Sequence, residues 1–174
     1  MRLFIAINFN EEIKEKLKAA RDNLKELSRK GNFTRDENLH LTLVFIGETQ
    51  RFSDIAKIMD ETDFAPFEIA IKGGGYFKRR GGNLYYAKVL NNENLTSIYN
   101  ALYTKLTRAG FNIEDRPYTP HITLGREVIL SGDFDITYPE AVMKVEKISL
   151  MKSERINGAL TYTGIYEKRA NEEA

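Results

Sequence analysis

Residues 40–43 read His-Leu-Thr-Leu, and residues 121–124 read His-Ile-Thr-Leu. These two tetrads contain the only two histidines of the chain. Along a β-strand, residues two positions apart point to the same face of the sheet. Each tetrad therefore predicts a strand whose His and Thr form a polar face. The two intervening apolar residues would anchor the opposite face in a core.

The sequence around both tetrads repeats one order of elements. An apolar strand is followed by a helix of roughly 16–20 residues, a glycine, a loop and the His-bearing strand. The first copy covers residues 3–47 and the second covers residues 84–126. This order predicts an α+β fold of two pseudo-symmetric lobes, each with an antiparallel sheet and flanking helices. We expect residues 1–174 to form one domain with the active-site cleft between its lobes.

Local signals place the ends of the elements in each copy. Asn10 and Asn94 are expected to cap the two long helices, because a short polar side chain can accept from the first free N–H groups. Gly31 and Gly110 are expected to end them, since glycine adopts the left-handed conformation of a helix terminus. The glycines that begin at Gly73 are expected to break a strand.

The segment from Gly73 to Gly82 is rich in glycine and allows two interpretations. A phosphate-binding loop would end in Gly-Lys-Ser or Gly-Lys-Thr, which this segment lacks, so a hairpin loop is favoured. The loop contains Lys78, Arg79 and Arg80. These cations either contact an RNA backbone or are simply solvated.

Composition limits the classes of function. The chain has 174 residues, of which 42% are apolar, and 26 Lys and Arg against 25 Asp and Glu. A net charge of +1 argues against a protein held to nucleic acid by bulk charge. The absence of Cys excludes disulfides and thiolate–zinc sites. Because no apolar run approaches a membrane helix and the first strand is too short for a signal peptide, we expect a cytoplasmic protein.

The tetrads carry the residue types of a phosphodiester site. One neutral histidine can take a proton while a second, protonated one donates a proton, near neutral pH. Thr42 and Thr123 can donate hydrogen bonds to phosphate oxygens. Arg126 shares the histidine face only if the strand is interrupted, and Gly125 offers a place for this. A metal site would need carboxylates, which neither tetrad supplies.

Three segments resemble a known family. Residues 38–48 and 120–126 are similar to the two signature motifs of the two-histidine (2H) phosphoesterase superfamily, and residues 2–8 are similar to its opening strand. Within it, the chain is most similar to the RNA 2′,3′-cyclic phosphodiesterase family, also called the 2′-5′ RNA ligase family. Tyr86 stands where many members of that family carry a Trp.

The resemblance implies an activity and a set of roles. A terminal 2′,3′-cyclic phosphate of RNA would be hydrolysed to a 2′-phosphate, with His40 as proton donor to O3′ and His121 as proton acceptor from water. Thr42, Thr123 and Arg126 would hold the phosphate. It also implies no cofactor and no metal, a monomer, RNA ends such as those of tRNA fragments as partners, and 2′-5′ ligation as the reverse reaction.

Some alternatives stay open at this point. Phe45 and Tyr86 could stack on the terminal base, or both could be core aromatics. The same fold could act on small nucleotide cyclic phosphates or on 2′-5′ oligonucleotides. A non-catalytic module that binds RNA ends is a third alternative, although binding alone has no need for two proton-transfer groups.

Overall fold

The computed structural model describes residues 1–172. Its elements, in chain order, are β1 (Arg2–Ile7), α1 (Glu11–Glu26), β2 (Ser28–Phe33), a 3-10 helix (Asp36–Asn38), β3 (Leu41–Glu48), α2 (Phe52–Asp60), β4 (Phe67–Phe77), β5 (Asn83–Val89), α3 (Glu93–Arg108), β6 (His121–Leu130), β7 (Glu140–Val145), β8 (Lys147–Ile156) and β9 (Ala159–Arg169). No helix within the described residues is long and apolar enough to cross a membrane.

The strands form two antiparallel sheets, which confirms the predicted α+β class. The first sheet has the order β3-β1-β8-β9, and the second has the order β2-β6-β5-β4-β7. In each sheet the strand that carries the tetrad threonine lies beside the first strand of its own copy, since β3 pairs with β1 and β6 pairs with β5. Contrary to the prediction, His40 lies just before β3, which begins at Leu41, whereas His121 is the first residue of β6. The order β3-β1-β8-β9 therefore corresponds to β6-β5-β4-β7. Strand β2 is an addition at the edge of the second sheet.

The long helices are exchanged between the sheets. Helix α1, from the first copy, contacts β2, β6 and β7 of the second sheet, whereas α3 contacts β3 of the first sheet. The apolar stripe of α1 (Ile13, Leu17, Ala20 and Leu24) is buried as the 3.6-residue periodicity predicts. Buried residues of both sheets join in one hydrophobic core. The exchange thus holds the two His-bearing strands in fixed proximity, and β3 contacts β6 directly.

Two predicted helix ends are wrong. Helix α1 ends at Glu26 and not at Gly31, because residues 28–33 form β2 and pair with the edge of β6. Gly31 serves packing there, since a Cβ atom at this position would lie 2.6 Å from the Phe33 ring. The second long helix is capped by Asn92, whose side chain accepts from a backbone N–H, and not by Asn94. The predictions of Asn10 as a cap and of Gly110 as the residue after the last turn are confirmed.

The glycines at 73–75 do not break a strand, contrary to the prediction, because they lie inside β4. A Cβ atom at Gly74 would lie 2.3 Å from the Tyr138 ring, and one at Gly75 would lie 3.0 Å from the hydroxyl of Tyr86. The bare backbone therefore makes room for two tyrosines on opposite faces of the strand. Residues 78–82 connect β4 to β5 as the predicted hairpin loop.

Candidate active site

A β-bulge follows the threonine of the first tetrad. The pairing of β3 with β1 shifts between Ala6↔Thr42 and Ile5↔Val44, so that Leu43 and Val44 are both buried. A one-residue slip moves all later side chains to the other face. Phe45 therefore returns to the face of His40. Its pairing with Phe4, whose ring lies 5.0 Å from that of His40, places it on the same side.

A second bulge lies at the equivalent place in the second tetrad. The pairing of β6 with β5 shifts between Tyr86↔Thr123 and Tyr85↔Gly125. The interruption predicted at Gly125 is thus present, and it turns Arg126 to the face of His121. Arg126 is exposed, as a residue that reaches into an open cleft should be.

The His40 ring is held by a hydrogen bond at each nitrogen. Its Nδ1 lies 2.7 Å from the carbonyl oxygen of Asn38, and its Nε2 lies 2.7 Å from Thr42 Oγ1. A carbonyl can only accept, so Nδ1 carries the proton and donates. In the neutral ring the hydroxyl of Thr42 then donates to Nε2. The tautomer of His40 follows from these partners.

The side chain of Asn38 fixes the backbone carbonyl that accepts from His40, a role that the sequence did not predict. Its side chain is buried, donates to the carbonyl of Leu160 at 2.8 Å and accepts from the N–H of Tyr162 at 3.1 Å. Asn38 therefore ties the loop before β3 to strand β9. The residue lies within the motif segment, but the sequence contained no signal that linked it to a distant strand.

His121 is oriented in the same way as His40. Its Nδ1 lies 2.7 Å from the carbonyl oxygen of Thr119, two residues earlier, as His40 Nδ1 does from Asn38. Both imidazoles therefore donate Nδ1–H to the backbone and leave Nε2 for chemistry. Among residues 1–172, no side chain hydrogen-bonds Nε2 of His121.

Aromatic rings flank both histidines. The rings of Phe4 and Tyr162 lie 5.0 and 5.2 Å from the His40 ring, between centroids. On the other side, Phe77 and Tyr86 lie 5.2 and 5.5 Å from the His121 ring. Tyr86 thus lies beside His121, and its role in stacking stays a prediction. Phe4, Phe77 and Tyr162 went unrecognised because they come from strands remote in sequence.

The proposed base-stacking residues differ in their surroundings. Phe45 is 49% exposed, and the guanidinium of Arg2 lies 5.0 Å from its ring centroid, so Phe45 is a rim residue and not a core residue. Tyr86 is half-buried and stacks on Phe77 with 4.6 Å between ring centroids. Each ring lies on the histidine face of its own sheet.

Burial and nearby positive charges disfavour the protonated form of both histidines in the unliganded protein. Burial lowers the pKa of His40 to about 4, and the nearby charges of Arg126 and His121 contribute to this lowering. Burial also lowers the pKa of His121, again with a contribution from Arg126. Arg126 therefore lies close enough to interact with both rings. An anion bound among them would raise both pKa values, because an opposite charge favours the protonated form.

The site lacks the side-chain grouping of a metal centre. Within residues 1–172, no three His, Cys, Asp or Glu side chains group so as to hold a metal ion.

Comparisons with known proteins identify the family of this chain. The sequence model of the 2′-5′ RNA ligase superfamily matches residues 9–157. An RNA 2′,3′-cyclic phosphodiesterase of Thermotoga maritima is 33% identical over 180 residues, which cover 96% of this chain and 94% of that relative. Another, of Archaeoglobus fulgidus, is 36% identical over 131 residues, or 72% of each chain.

Solved structures share the fold. The protein TT0787 of Thermus thermophilus aligns over 100% of both chains with a TM-score of 0.87 and 25% identity. Escherichia coli LigT, complexed with 3′-AMP, aligns over 98% of both chains with a TM-score of 0.83 and 24% identity, which is a likeness of fold. The resemblance stated from the motif segments is confirmed. The chain belongs to the 2′-5′ RNA ligase superfamily.

Proposed function

We propose that this protein hydrolyses the terminal 2′,3′-cyclic phosphate of RNA to a 2′-phosphate by proton transfer between two histidines, without a metal ion. One observation carries the proposal. Two imidazoles, one just before β3 and one at the start of β6, donate Nδ1–H to the backbone, and β3 contacts β6. We assign proton transfer to the Nε2 atom of each ring. Full-length relatives named RNA 2′,3′-cyclic phosphodiesterase support this substrate class.

The reaction needs one base and one acid on opposite sides of the phosphorus. His121 Nε2 takes a proton from water, and the water oxygen attacks phosphorus. The P–O3′ bond breaks, and His40 Nε2–H gives its proton to O3′. The products are a 2′-phosphate and a 3′-hydroxyl. His121 then gives its proton to solvent, and His40 takes up a proton again when the next substrate binds. The family resemblance, and not the geometry, assigns these directions.

The substrate itself would prepare His40 as the acid. With a pKa of about 4, His40 is neutral in the unliganded protein near pH 7. The cyclic phosphate carries one negative charge, and its binding raises the pKa of the nearby imidazole. Once protonated, His40 no longer accepts from Thr42 at Nε2. The hydroxyl of Thr42 is then able to donate to a phosphate oxygen instead.

Thr42, Thr123 and Arg126 are the residues we expect to hold the phosphate. The threonines share the face of their histidines, and the bulge in β6 brings Arg126 to the same face. Hydroxyl donors and a guanidinium stabilise the charge that builds on the non-bridging oxygens as water attacks. We therefore expect threonine variants to lose less activity than histidine variants.

A patch beyond the phosphate favours an RNA chain over a mononucleotide. The guanidinium of Arg79 lies 5.4 Å from the Phe77 ring, and Phe77 stacks on Tyr86. The charges of Arg79 and Arg116 also contribute to the lowered pKa of His121. The Arg79 cation beside a stacked aromatic pair suits the base and backbone phosphate of a preceding nucleotide.

The test is incubation with an oligonucleotide that ends in a 2′,3′-cyclic phosphate, in the presence of EDTA, with identification of the product. A 2′-phosphate product would support the proposal. Loss of activity that returns only with added metal would contradict the metal-free mechanism, and absence of hydrolysis would favour a binding module. A cyclic mononucleotide as the second substrate distinguishes RNA from small nucleotides.

Ligation is tested by incubating an oligonucleotide that has a cyclic-phosphate end with one that has a 5′-hydroxyl end.

A further inference from the structure

Two hydroxyl groups outside the tetrads each donate a hydrogen bond to a backbone carbonyl of one tetrad. Tyr118 Oη donates to the carbonyl oxygen of Thr42 at 2.9 Å. Thr34 Oγ1 donates to the carbonyl oxygen of Thr123, also at 2.9 Å. Tyr118 lies three residues before His121, and Thr34 lies six residues before His40. Each tetrad is therefore bound by the segment that leads into the other tetrad.

The two bulges explain why these carbonyls need a donor. Thr42 and Thr123 are each the last paired residue before the register shift of their strand. At a bulge the ladder is locally disrupted, so backbone groups lose their regular partners. A carbonyl shielded from water without a donor destabilises the fold, and the hydroxyls of Tyr118 and Thr34 donate to these two part-buried carbonyls.

Each donor is itself fixed by one of the exchanged helices. The Tyr118 ring stacks on Tyr99 of α3, with 4.5 Å between centroids and 8° between ring planes. Burial raises the pKa of the Tyr118 hydroxyl, which therefore stays protonated and able to donate. On the other side, the carbonyl oxygen of Thr34 accepts from Arg21 Nη1 of α1 at 2.9 Å.

Tyr118 has a second connection to the site through its neighbour. The carbonyl oxygen of Thr119 accepts from Nδ1 of His121 at 2.7 Å. A displacement of Tyr118 would thus move both the backbone of the first tetrad and the carbonyl that orients the second histidine.

We propose that Tyr118 and Thr34 are positioning residues that form a reciprocal clasp between the tetrads and set the alignment of His40 with His121. The catalytic part of this inference rests on the proposed function. An acid and a base that act on one phosphate must be aligned together, and a misplacement of about 1 Å costs on the order of 100-fold in rate. The clasp acts through the backbone of the tetrads, so it affects turnover more than substrate binding.

Single-hydroxyl variants test the clasp. Tyr118→Phe keeps the ring stacked on Tyr99, and Thr34→Val keeps the shape of the side chain. We expect each to lower kcat by about 10- to 100-fold on the cyclic-phosphate oligonucleotide, with KM changed by less than about twofold. Thr34→Ser retains the hydroxyl and should keep most of the activity. Tyr103→Phe and Thr107→Val make the same changes on α3, away from the tetrads, and should match the wild type.

Long-range ¹H–¹⁵N spectra of the imidazoles give a second readout that does not need turnover. In the wild type both rings should show one neutral tautomer, with the proton on Nδ1. In Tyr118→Phe we expect His121 to populate both tautomers, because the carbonyl of Thr119 is no longer held in place. If the wild type fails to hydrolyse RNA, the proposed function is wrong, and these spectra still decide whether the clasp exists.

Some outcomes would overturn the clasp. One is a kcat for Tyr118→Phe and Thr34→Val within about twofold of the wild type in folded protein. Another is a rise in KM with no fall in kcat. A third is a fall in kcat of the same size in the control variants Tyr103→Phe and Thr107→Val. Imidazole spectra of Tyr118→Phe that are identical to those of the wild type would also overturn it.

Discussion

Phe45 and Arg126 occupy equivalent positions in the two sheets. Each lies five residues after its tetrad histidine, and each reaches the histidine face because a bulge intervenes. The same backbone device therefore offers an aromatic ring on one side of the cleft and a guanidinium on the other. This asymmetry suits a ligand with a base at one end and a phosphate at its centre.

Replacement of Arg126 should raise the pKa of both histidines in the unliganded protein. The positive charge of Arg126 contributes to the lowering of both values, so Arg126→Ala removes an interaction that disfavours the protonated rings. NMR titration of the imidazole C–H signals measures the change. Lys25→Ala, which removes an exposed cation on α1, is the matched control. Unchanged titration curves in Arg126→Ala would place this residue outside the site.

His40 should make the protein less stable in acid. Its pKa is about 4 in the folded protein against about 6.5 in the unfolded chain, so the unfolded chain binds the proton more readily below pH 6.5. The contribution of the neutral His40 ring to the free energy of unfolding is fully present above pH 6.5 and is lost as the pH falls toward 4. Between about pH 7.5 and 4.5, we expect the free energy of unfolding to fall by about 2–3 kcal/mol more in the wild type than in His40→Gln.

Urea denaturation at the two pH values measures that difference. The comparison between the two proteins is needed because His121 also has a lowered pKa and contributes in the same direction. Equal losses of stability in the wild type and in His40→Gln would mean that His40 is protonated as easily in the folded protein as in the unfolded chain.

Phe45→Ala should weaken binding of the terminal nucleotide. Stacking of a base on an aromatic ring is worth about 1–3 kcal/mol, so we expect KM for the oligonucleotide to rise by about 5-fold or more while kcat changes little. Phe134 is exposed to a similar degree, 44% against 49%, and Phe134→Ala serves as the control. If both variants keep the wild-type KM, Phe45 is not a base platform.

Arg79→Ala should distinguish an RNA chain from a mononucleotide. Its guanidinium lies over Phe77, beside the site and not within the tetrads. We expect a loss of kcat/KM with an oligonucleotide, a salt dependence whose slope is shallower by about 0.7, and a smaller change with a cyclic mononucleotide, which feels only the effect of Arg79 on His121. Arg80→Ala removes the neighbouring cation of the same loop and serves as the comparison. An equal effect of Arg79→Ala on both substrates would argue against a backbone contact.

The tetrads predicted much of the fold because residues two positions apart on a strand must point to the same face of the sheet. The duplication around them also predicted two similar lobes, each with its own antiparallel sheet. Strand β2 escaped prediction because residues 28–33 continue the helical pattern of α1 up to Gly31, and only pairing with β6 makes them a strand. Strand β7 also escaped prediction. Its residues alternate between buried and exposed, but the strand is short and lies at a sheet edge.

The site could be predicted only as far as its residues are close in sequence. His40, Thr42 and Arg126 lie within the motif segments, and even the break at Gly125 was visible as a glycine. The supports come from elsewhere. Leu160 and Tyr162 reach Asn38 from a strand far along the chain, and Tyr118 reaches Thr42 across the cleft. Such contacts depend on packing, which a single sequence does not display.

In the proposed reaction the two histidines transfer protons in opposite directions. His40→Ala and His121→Ala should each lose about 10²–10⁴-fold of the activity on a cyclic-phosphate RNA. The double variant should be little worse than either single one, because the two groups act as a unit. These losses alone do not show which residue is the acid.

The most direct measurement uses a nucleotide phosphodiester whose leaving group is para-nitrophenolate in place of O3′. Nitrophenolate leaves without a proton, so a variant that lacks only the acid should be rescued on this substrate. We predict that His40→Ala recovers a rate close to that of the wild type and that His121→Ala does not. Rescue of His121→Ala instead would reverse the roles. Rescue of neither, with both proteins folded, would contradict proton transfer by this pair.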